Sequence, residues 1–256
     1  MKNNYITFEK VSKTFNKSNK PSVYETSLSI EKGNFITILG ASGSGKTTLL
    51  KMVNRIYEPT SGKILINNEN IKNIPVNKLR RSIGYVIQQI GLFQHMTIEQ
   101  NIGIVPQILK WDHGKINERI NYLLELVELS PGEFRKRYPG QLSGGQQQRV
   151  GLARAMAGDP GIMLMDEPFG AIDSITRNNL QNELLKIQKK LNKTILFVTH
   201  DVNESLKLGD KVIIMNQGRV QQYDTPYNIT LDPANEFVSS LINAEDIVSK
   251  LKACSS

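Results

Sequence analysis

Apolar and polar residues alternate along two early stretches, 4–11 and 24–31, with the two-residue period of half-buried strands. The pattern then changes. Phe35-Ile36-Thr37-Ile38-Leu39 is an apolar run that stops at Gly40, as expected of a strand buried on both faces. From Thr47 the period becomes helical and holds to Glu58-Pro59, where Pro-Thr-Ser-Gly predicts a turn. Strand-like runs follow at 63–66 and 83–87. From Gln89 to about Ala157 the chain reads as largely helical, and Ile116, Ile120, Leu123, Leu124 and Val127 share one face there. Strand character returns at Ile162-Met163-Leu164-Met165. A helix over about 174–191 buries Leu180, Leu184, Ile187 and Leu191. Thr194–Thr199 and Lys211–Met215 read as strands, Gln217-Gly218 as a hairpin turn, and about 233–251 as a last amphipathic helix. Strands alternating with helices predict an α/β fold with a mainly parallel sheet. An antiparallel β region precedes it and a helical block, 89–157, interrupts it. The expected organisation is one domain over 1–240, with its core at about 1–88 and 158–230, then a short helix or tail at 241–256.

Two glycine-rich loops stand at strand-to-helix or loop-to-helix junctions. Gly40-Ala41-Ser42-Gly43-Ser44-Gly45-Lys46-Thr47 matches G-x-x-x-x-G-K-[ST] in full and continues to Thr48. A strand before it and a helix after it are the context of a Walker A phosphate loop. Its glycines let the backbone wrap phosphates, Lys46 reaches the terminal ones, and the Thr47 hydroxyl is a Mg²⁺ ligand. About a hundred residues later, LSGGQQQR over 142–149 places Ser143, Gly144, Gly145 and Gln146 ahead of a second helix, again an anion-type loop.

Carboxylates complete the pattern. Ile162–Met165 delivers Asp166 and Glu167 at a strand's C-terminal end, where ligands of open α/β sheets bind. Asp166 is a candidate for the Mg²⁺ shell and Glu167 for orienting or deprotonating an attacking water. Gln88, at the end of YVIQ, can reach a metal or the water, or be a surface amide. His200, at the end of TILFVTH, can bond a γ-phosphate or serve the fold alone. Asp173 carries no signal by itself.

Composition bounds the class without choosing a partner. The chain has 256 residues, 39% hydrophobic and 22% charged, as suits a globular protein. No apolar run approaches the roughly 18 residues of a membrane span. MKNNYITFEK lacks the apolar segment of a secretory signal. A single cysteine, Cys254, leaves disulfides out of the expected fold and fits a reducing cytosol. The net charge of +8 is compatible with nucleic acid, an anionic membrane or a general basic bias, and the lysines are scattered.

In this order, the segments resemble the ATP-binding subunit of an ABC transporter over about residues 4–240. LSGGQ between the Walker A loop and MLMDEP carries the resemblance, since a Walker A loop alone is general to P-loop NTPases. The resemblance implies ATP and Mg²⁺. It makes Gln88 the Q-loop residue, with Thr47 and Asp166 at the metal, and places Glu167, His200, Lys46 and Gln88 at the chemistry. Asp173 in GAID falls at the D-loop and His200 in VTHD at the switch histidine. Phe15 in VSKTF falls where an aromatic stacks on adenine, with Val23 beside it. Ser143, Gly144, Gly145, Gln146 and Asp173 are implied to serve the nucleotide of a second copy. GAID replaces the usual GALD, and Gln94 stands where relatives usually carry Pro.

A narrower resemblance lies in RYPGQLSGGQQQRVGLARAMAGDP, MDEPFGAIDSITR, VTHDVNESLKLGDKVIIM and IGYVIQQIGLFQHMT. These are similar to the quaternary-amine importers, which take up glycine betaine, carnitine or choline. Many members carry a C-terminal pair of CBS domains; this chain is expected to lack them. The implied assembly is a homodimer at the cytoplasmic face of the membrane. Two permease subunits dock near residues 88–98 and a solute-binding protein completes it, with no nucleic acid. Rival expectations are an importer of methionine, nitrate or sulfonate, or polyamine, an exporter, and a soluble ABC-type ATPase acting on nucleic acid or the ribosome.

Overall fold

The computed structural model describes residues 4–16, 19–87, 91–170 and 172–242. In chain order the elements are β1 (Asn4–Lys13), β2 (Val23–Glu31), β3 (Phe35–Leu39), α1 (Lys46–Val53), β4 (Ser61–Ile66) and β5 (Glu69–Asn70). Then come α2 (Val76–Arg81), β6 (Ile83–Val86), α3 (Ile98–Ile108), α4 (His113–Leu126), α5 (Pro131–Phe134), α6 (Gly144–Met156), β7 (Ile162–Asp166) and α7 (Ser174–Leu191). The chain ends through β8 (Thr194–Thr199), α8 (Val202–Leu208), β9 (Lys211–Asn216), β10 (Arg219–Asp224), α9 (Pro226–Leu231) and α10 (Glu236–Leu241). It divides into two compact units, 1–73 with 196–256, and 74–195.

The first unit holds an antiparallel sheet ordered β2-β1-β4-β5. It also holds β3, wholly buried, which runs parallel to β9, while β9 turns back into antiparallel β10. Helices cover this second sheet. Leu39, Val212 and Ile214 pack with Ile229, Val238 and Ile242 of the C-terminal helices. Polar groups fix the register: Asp210 Oδ2 accepts from Phe35 N at 2.7 Å, and the Ser205 hydroxyl meets the Thr37 hydroxyl at 2.8 Å.

The second unit pairs β6 parallel to β7 and carries the helices α3 to α6. Thr97 caps α3 with a reciprocal capping box, and Asp112 caps α4. The face foreseen for α4 is buried at Ile116, Ile120, Leu123 and Leu124, with Val127 buried just beyond its end. Between β6 and α6 the fit is close: a Cβ on Gly84 would lie 2.6 Å from the Ala155 carbonyl oxygen.

The structure corrects one helix boundary. The helix after the first glycine loop stops at Val53, not near Glu58, because the Asn54 side chain accepts from Ile56 N at 3.2 Å and Arg55 turns to φ 54°. Of the final helix expected over about 233–251, the described residues hold α10, capped by Asn235; residues beyond Ile242 lie outside the described residues, and α9, capped by Thr225, precedes that stretch. No helix among the described residues is long and apolar enough to cross a membrane.

Candidate nucleotide site

The first glycine loop leaves buried β3 and enters α1 within one tightly packed corner of the first unit. A Cβ on Gly40 would sit 2.2 Å from the Met215 carbonyl oxygen, and one on Gly45 2.4 Å from the Ser22 carbonyl oxygen. Gly45, at φ 101°, is the N-cap of α1 and offers no side-chain cap. The β9–β10 turn braces the loop, Gly218 N donating to the Ser44 carbonyl at 3.0 Å and Gly218 O accepting from Tyr24 N at 2.8 Å. Ala41, Ser42 and Gly43 are exposed, Thr47 and Thr48 half-buried, and Lys46 is buried. Lys46 Nζ donates to the Gly40 and Ala41 carbonyls at 2.7 and 2.9 Å. The Ser44 hydroxyl is buried and makes no hydrogen bond among the described residues. A buried hydroxyl left over in a loop of this shape suits an anionic ligand with acceptor oxygens.

Two further predicted residues belong to the same unit. His200 is exposed at the bend between β8 and α8, whose N-cap is Asp201. Phe15 is half-buried and meets Tyr57 edge to face, ring centroids 5.0 Å apart, with Lys13 Nζ 5.1 Å from its ring. Tyr57 had no sequence signal, since it lies in the stretch read as helix. Val23 has no exposed surface and so offers no face to a base.

The second unit carries the other described candidates. Asp166 ends buried β7, and Glu167 follows with φ 48°, a left-handed conformation that costs a non-glycine residue about 1–3 kcal/mol. Helix α6, which opens at Ser143, is tied to that turn, because the buried Gln148 amide donates to the Pro168 carbonyl. At its start Ser143 and Gln146 form a closed capping box: Gln146 N donates to Ser143 Oγ at 3.3 Å and Ser143 N to Gln146 Oε1 at 2.9 Å. A Cβ on Gly144 would meet nothing within 4 Å, whereas one on Gly145 would lie 2.9 Å from Thr176 Cγ2. Thr176 is in the first turn of α7, which Asp173 caps by accepting from Thr176 N at 3.0 Å. That bond holds the Asp173 carboxyl below the usual range. Gln88 lies outside the described residues. Among the described residues no group of three or more His, Cys, Asp or Glu forms a metal cage.

Residues 23–170 match the sequence description of the ABC transporter family. The chain belongs to that family. It is 53% identical over 243 residues to a choline transport ATP-binding protein of Bacillus subtilis, covering 95% of this chain and 63% of that protein. It is 46% identical to the ATP-binding protein of a glycine betaine uptake system of Escherichia coli, covering 94% of this chain and 78% of that one. The fold aligns with a dimeric ATP-binding cassette bound to ADP and Pi in a post-hydrolysis state, at a TM-score of 0.76 and 33% identity, over 86% of this chain and 98% of that one. For an ABC chain, the second unit also bears a groove of about 460 Å³ lined in part by Arg80, Arg81, Gly91, Phe93, Ile108 and Arg154. Arg154 donates to Gly91 O at 2.8 Å and lies 5.6 Å from the Phe93 ring, which is 41% exposed. Part of the ABC segment expected to meet permease subunits therefore lines a concave, apolar and basic surface.

Proposed function

We propose that this chain is the ATP-hydrolysing subunit of a bacterial importer for quaternary-ammonium osmoprotectants such as glycine betaine, carnitine or choline. The observation that carries the reading is 53% identity across 95% of the chain to a choline transport ATP-binding protein. ATP is the substrate. Its adenine stacks on Phe15 and its phosphates follow residues 40–48, where Lys46 exchanges the Gly40 and Ala41 carbonyls for phosphate oxygens.

Mg²⁺, when bound, would neutralise phosphate charge. A hydroxyl (Thr47), a carboxylate (Asp166) and an amide (Gln88) are the oxygen donors that suit such a hard cation. Glu167 orients and deprotonates the water, and His200 bonds the γ-phosphate as its charge develops.

Ser143, Gly144, Gly145, Gln146 and Asp173 serve the ATP held by a second copy. The Ser143 oxygen already accepts within its capping box, which leaves its O–H to donate outward. Closure of such a homodimer with γ-phosphate, and opening after hydrolysis, drives two permease subunits seated at the Phe93 groove. The assembly works at the cytoplasmic face of the membrane with a solute-binding protein.

The variant Glu167→Gln tests the chemistry. It is expected to keep ATP binding, to accumulate a dimer on ATP and to lose turnover; near-normal hydrolysis would overturn the assignment. Deleting the gene and measuring uptake tests the cargo: labelled choline, carnitine or betaine uptake falls while methionine uptake holds, and the reverse pattern names another cargo.

A further inference from the structure

The turn that carries His200 rests on buried polar groups with no part in the chemistry proposed above. Thr199, Glu204, Ser205 and Thr37 are all buried, Glu204 being only 8% exposed. A carboxylate at that depth is costly unless hydrogen-bonded. Glu204 meets the requirement at the His200 turn itself: the Thr199 hydroxyl donates to Glu204 Oε2. The same hydroxyl oxygen accepts from Asp201 N at 3.0 Å, and Asp201 Oδ1 accepts from Glu204 N at 3.0 Å. Two of these bonds tie the residues before and after His200 to the first turn of α8, and the third ties them to each other. At the next residue, Ser205 donates to Thr37 Oγ1 at 2.8 Å, and the Thr37 hydroxyl donates to Ser205 O at 3.1 Å. Thr37 lies three residues before Gly40, on the strand that feeds the phosphate loop. The His200 turn and that strand are therefore held by one buried polar network.

We propose that Thr199 and Glu204 are positioning residues for His200, holding its imidazole in the place where it meets the γ-phosphate. The inference rests on the catalytic role proposed for His200. The Thr199 hydroxyl spends its proton on a carboxylate and a lone pair on a backbone N–H, so Ser can replace it and Val cannot. Val keeps the β-branched shape that suits a buried strand end, so the strand is expected to persist. What Val removes is the acceptor for Asp201 N and the partner of a buried carboxylate. Glu204 then loses one of the hydrogen bonds that hold it inside, and the bend loses two of the bonds that fix it.

The test compares Thr199→Val, Thr199→Ser and His200→Ala in ATPase kinetics, with the imidazole ¹⁵N signals of the three histidines, His95, His113 and His200, followed by NMR. Thr199→Val is expected to lower kcat about tenfold or more at nearly unchanged KM for ATP. It should shift the His200 signals and leave those of His95 and His113 in place. Thr199→Ser is expected to restore kcat and signals. Made in the His200→Ala background, Thr199→Val is expected to cost nothing further. If Thr199→Val is unstable, Glu204→Gln strikes the same link more mildly, keeping an acceptor but losing its charge, with a two- to fivefold fall in kcat.

A normal kcat and unshifted His200 signals in Thr199→Val, beside an inactive His200→Ala, overturn the positioning role and leave the role of His200 standing. An equal loss from Thr199→Val with and without His200 also overturns it, as a structural effect alone. Full activity in His200→Ala overturns both readings.

Discussion

The chain carries two glycine loops, each opening a helix, and they are built on opposite principles. In the first, the chain itself demands the glycines: Gly40 and Gly45 lie where a Cβ would strike backbone oxygens at 2.2 and 2.4 Å. Its helix has no side-chain cap, and its lysine is bonded to the loop's own carbonyls. In the second, a complete capping box satisfies the helix end from within. Gly145 is still needed, because Thr176 lies 2.9 Å from its missing Cβ, but Gly144 faces open space. The first loop is closed by its own chain, and the second leaves open the space that the proposed role toward a second copy's nucleotide would use.

The harshest break of this contrast is Lys46→Ala. It removes a charged donor from the first loop only, and charged hydrogen bonds contribute about 1.5–3 kcal/mol each. ATP binding, read by titration calorimetry, is expected to weaken about a hundredfold while the fold stays stable. Retained affinity would remove phosphate binding from the first loop.

Gly40→Ala sharpens the same side of the comparison through the backbone. The new methyl meets the Met215 carbonyl, and forced overpacking of this kind costs about 1–3 kcal/mol. The expected result is a lower thermal midpoint together with weaker ATP binding. A variant of unchanged stability would show that the corner is looser than its distances say.

The two loops were also unequally legible. The first was readable because its spacing is a local code, with lysine and hydroxyl at fixed offsets between a strand and a helix. The carboxylates Asp166 and Glu167 were readable from the apolar run that ends in them. The left-handed turn at Glu167 was not, since nothing in Met-Asp-Glu-Pro forbids an extended residue there. Tyr57 was missed because its partner, Phe15, lies far away in sequence and the helix that was expected to contain it stops early. The short helix α8 was missed too. Its seven residues are too few for a periodic signal, and it is specified by Asp201, Thr199 and Glu204 hydrogen-bonding one another. Local patterns are written in the sequence; closures between distant residues are not.

Gly144→Ala tests the second loop directly. Alanine suits the first turn of a helix, by a few tenths to about 1 kcal/mol over glycine. The thermal midpoint should therefore hold or rise. In the proposed shared site the added methyl would occupy the space of a phosphate borne by another copy, so turnover should fall about tenfold or more. Full turnover in this variant would return Gly144 to an ordinary surface position and weaken the case for a shared site.

The smallest effect concerns Asp173, whose cap on α7 stands beside the second loop. The backbone N–H of Thr176 holds its carboxyl below the usual aspartate range, so the charged cap stabilises the fold above the unfolded value, near about 3.9. That contribution is lost as pH falls through the lower, folded value. Because Asp173 is fully exposed, the effect on thermal unfolding is small and visible only at acid pH. Asp173→Asn keeps a side-chain oxygen that caps as well as aspartate. It should leave the midpoint at neutral pH unchanged and remove Asp173's share of the acid decline. Turnover then separates the two jobs of this residue. If Asp173 only caps α7, the asparagine variant hydrolyses ATP at the normal rate. If its charge also serves the nucleotide of a second copy, turnover falls although the helix end is intact, and the second loop and its neighbour act as one surface.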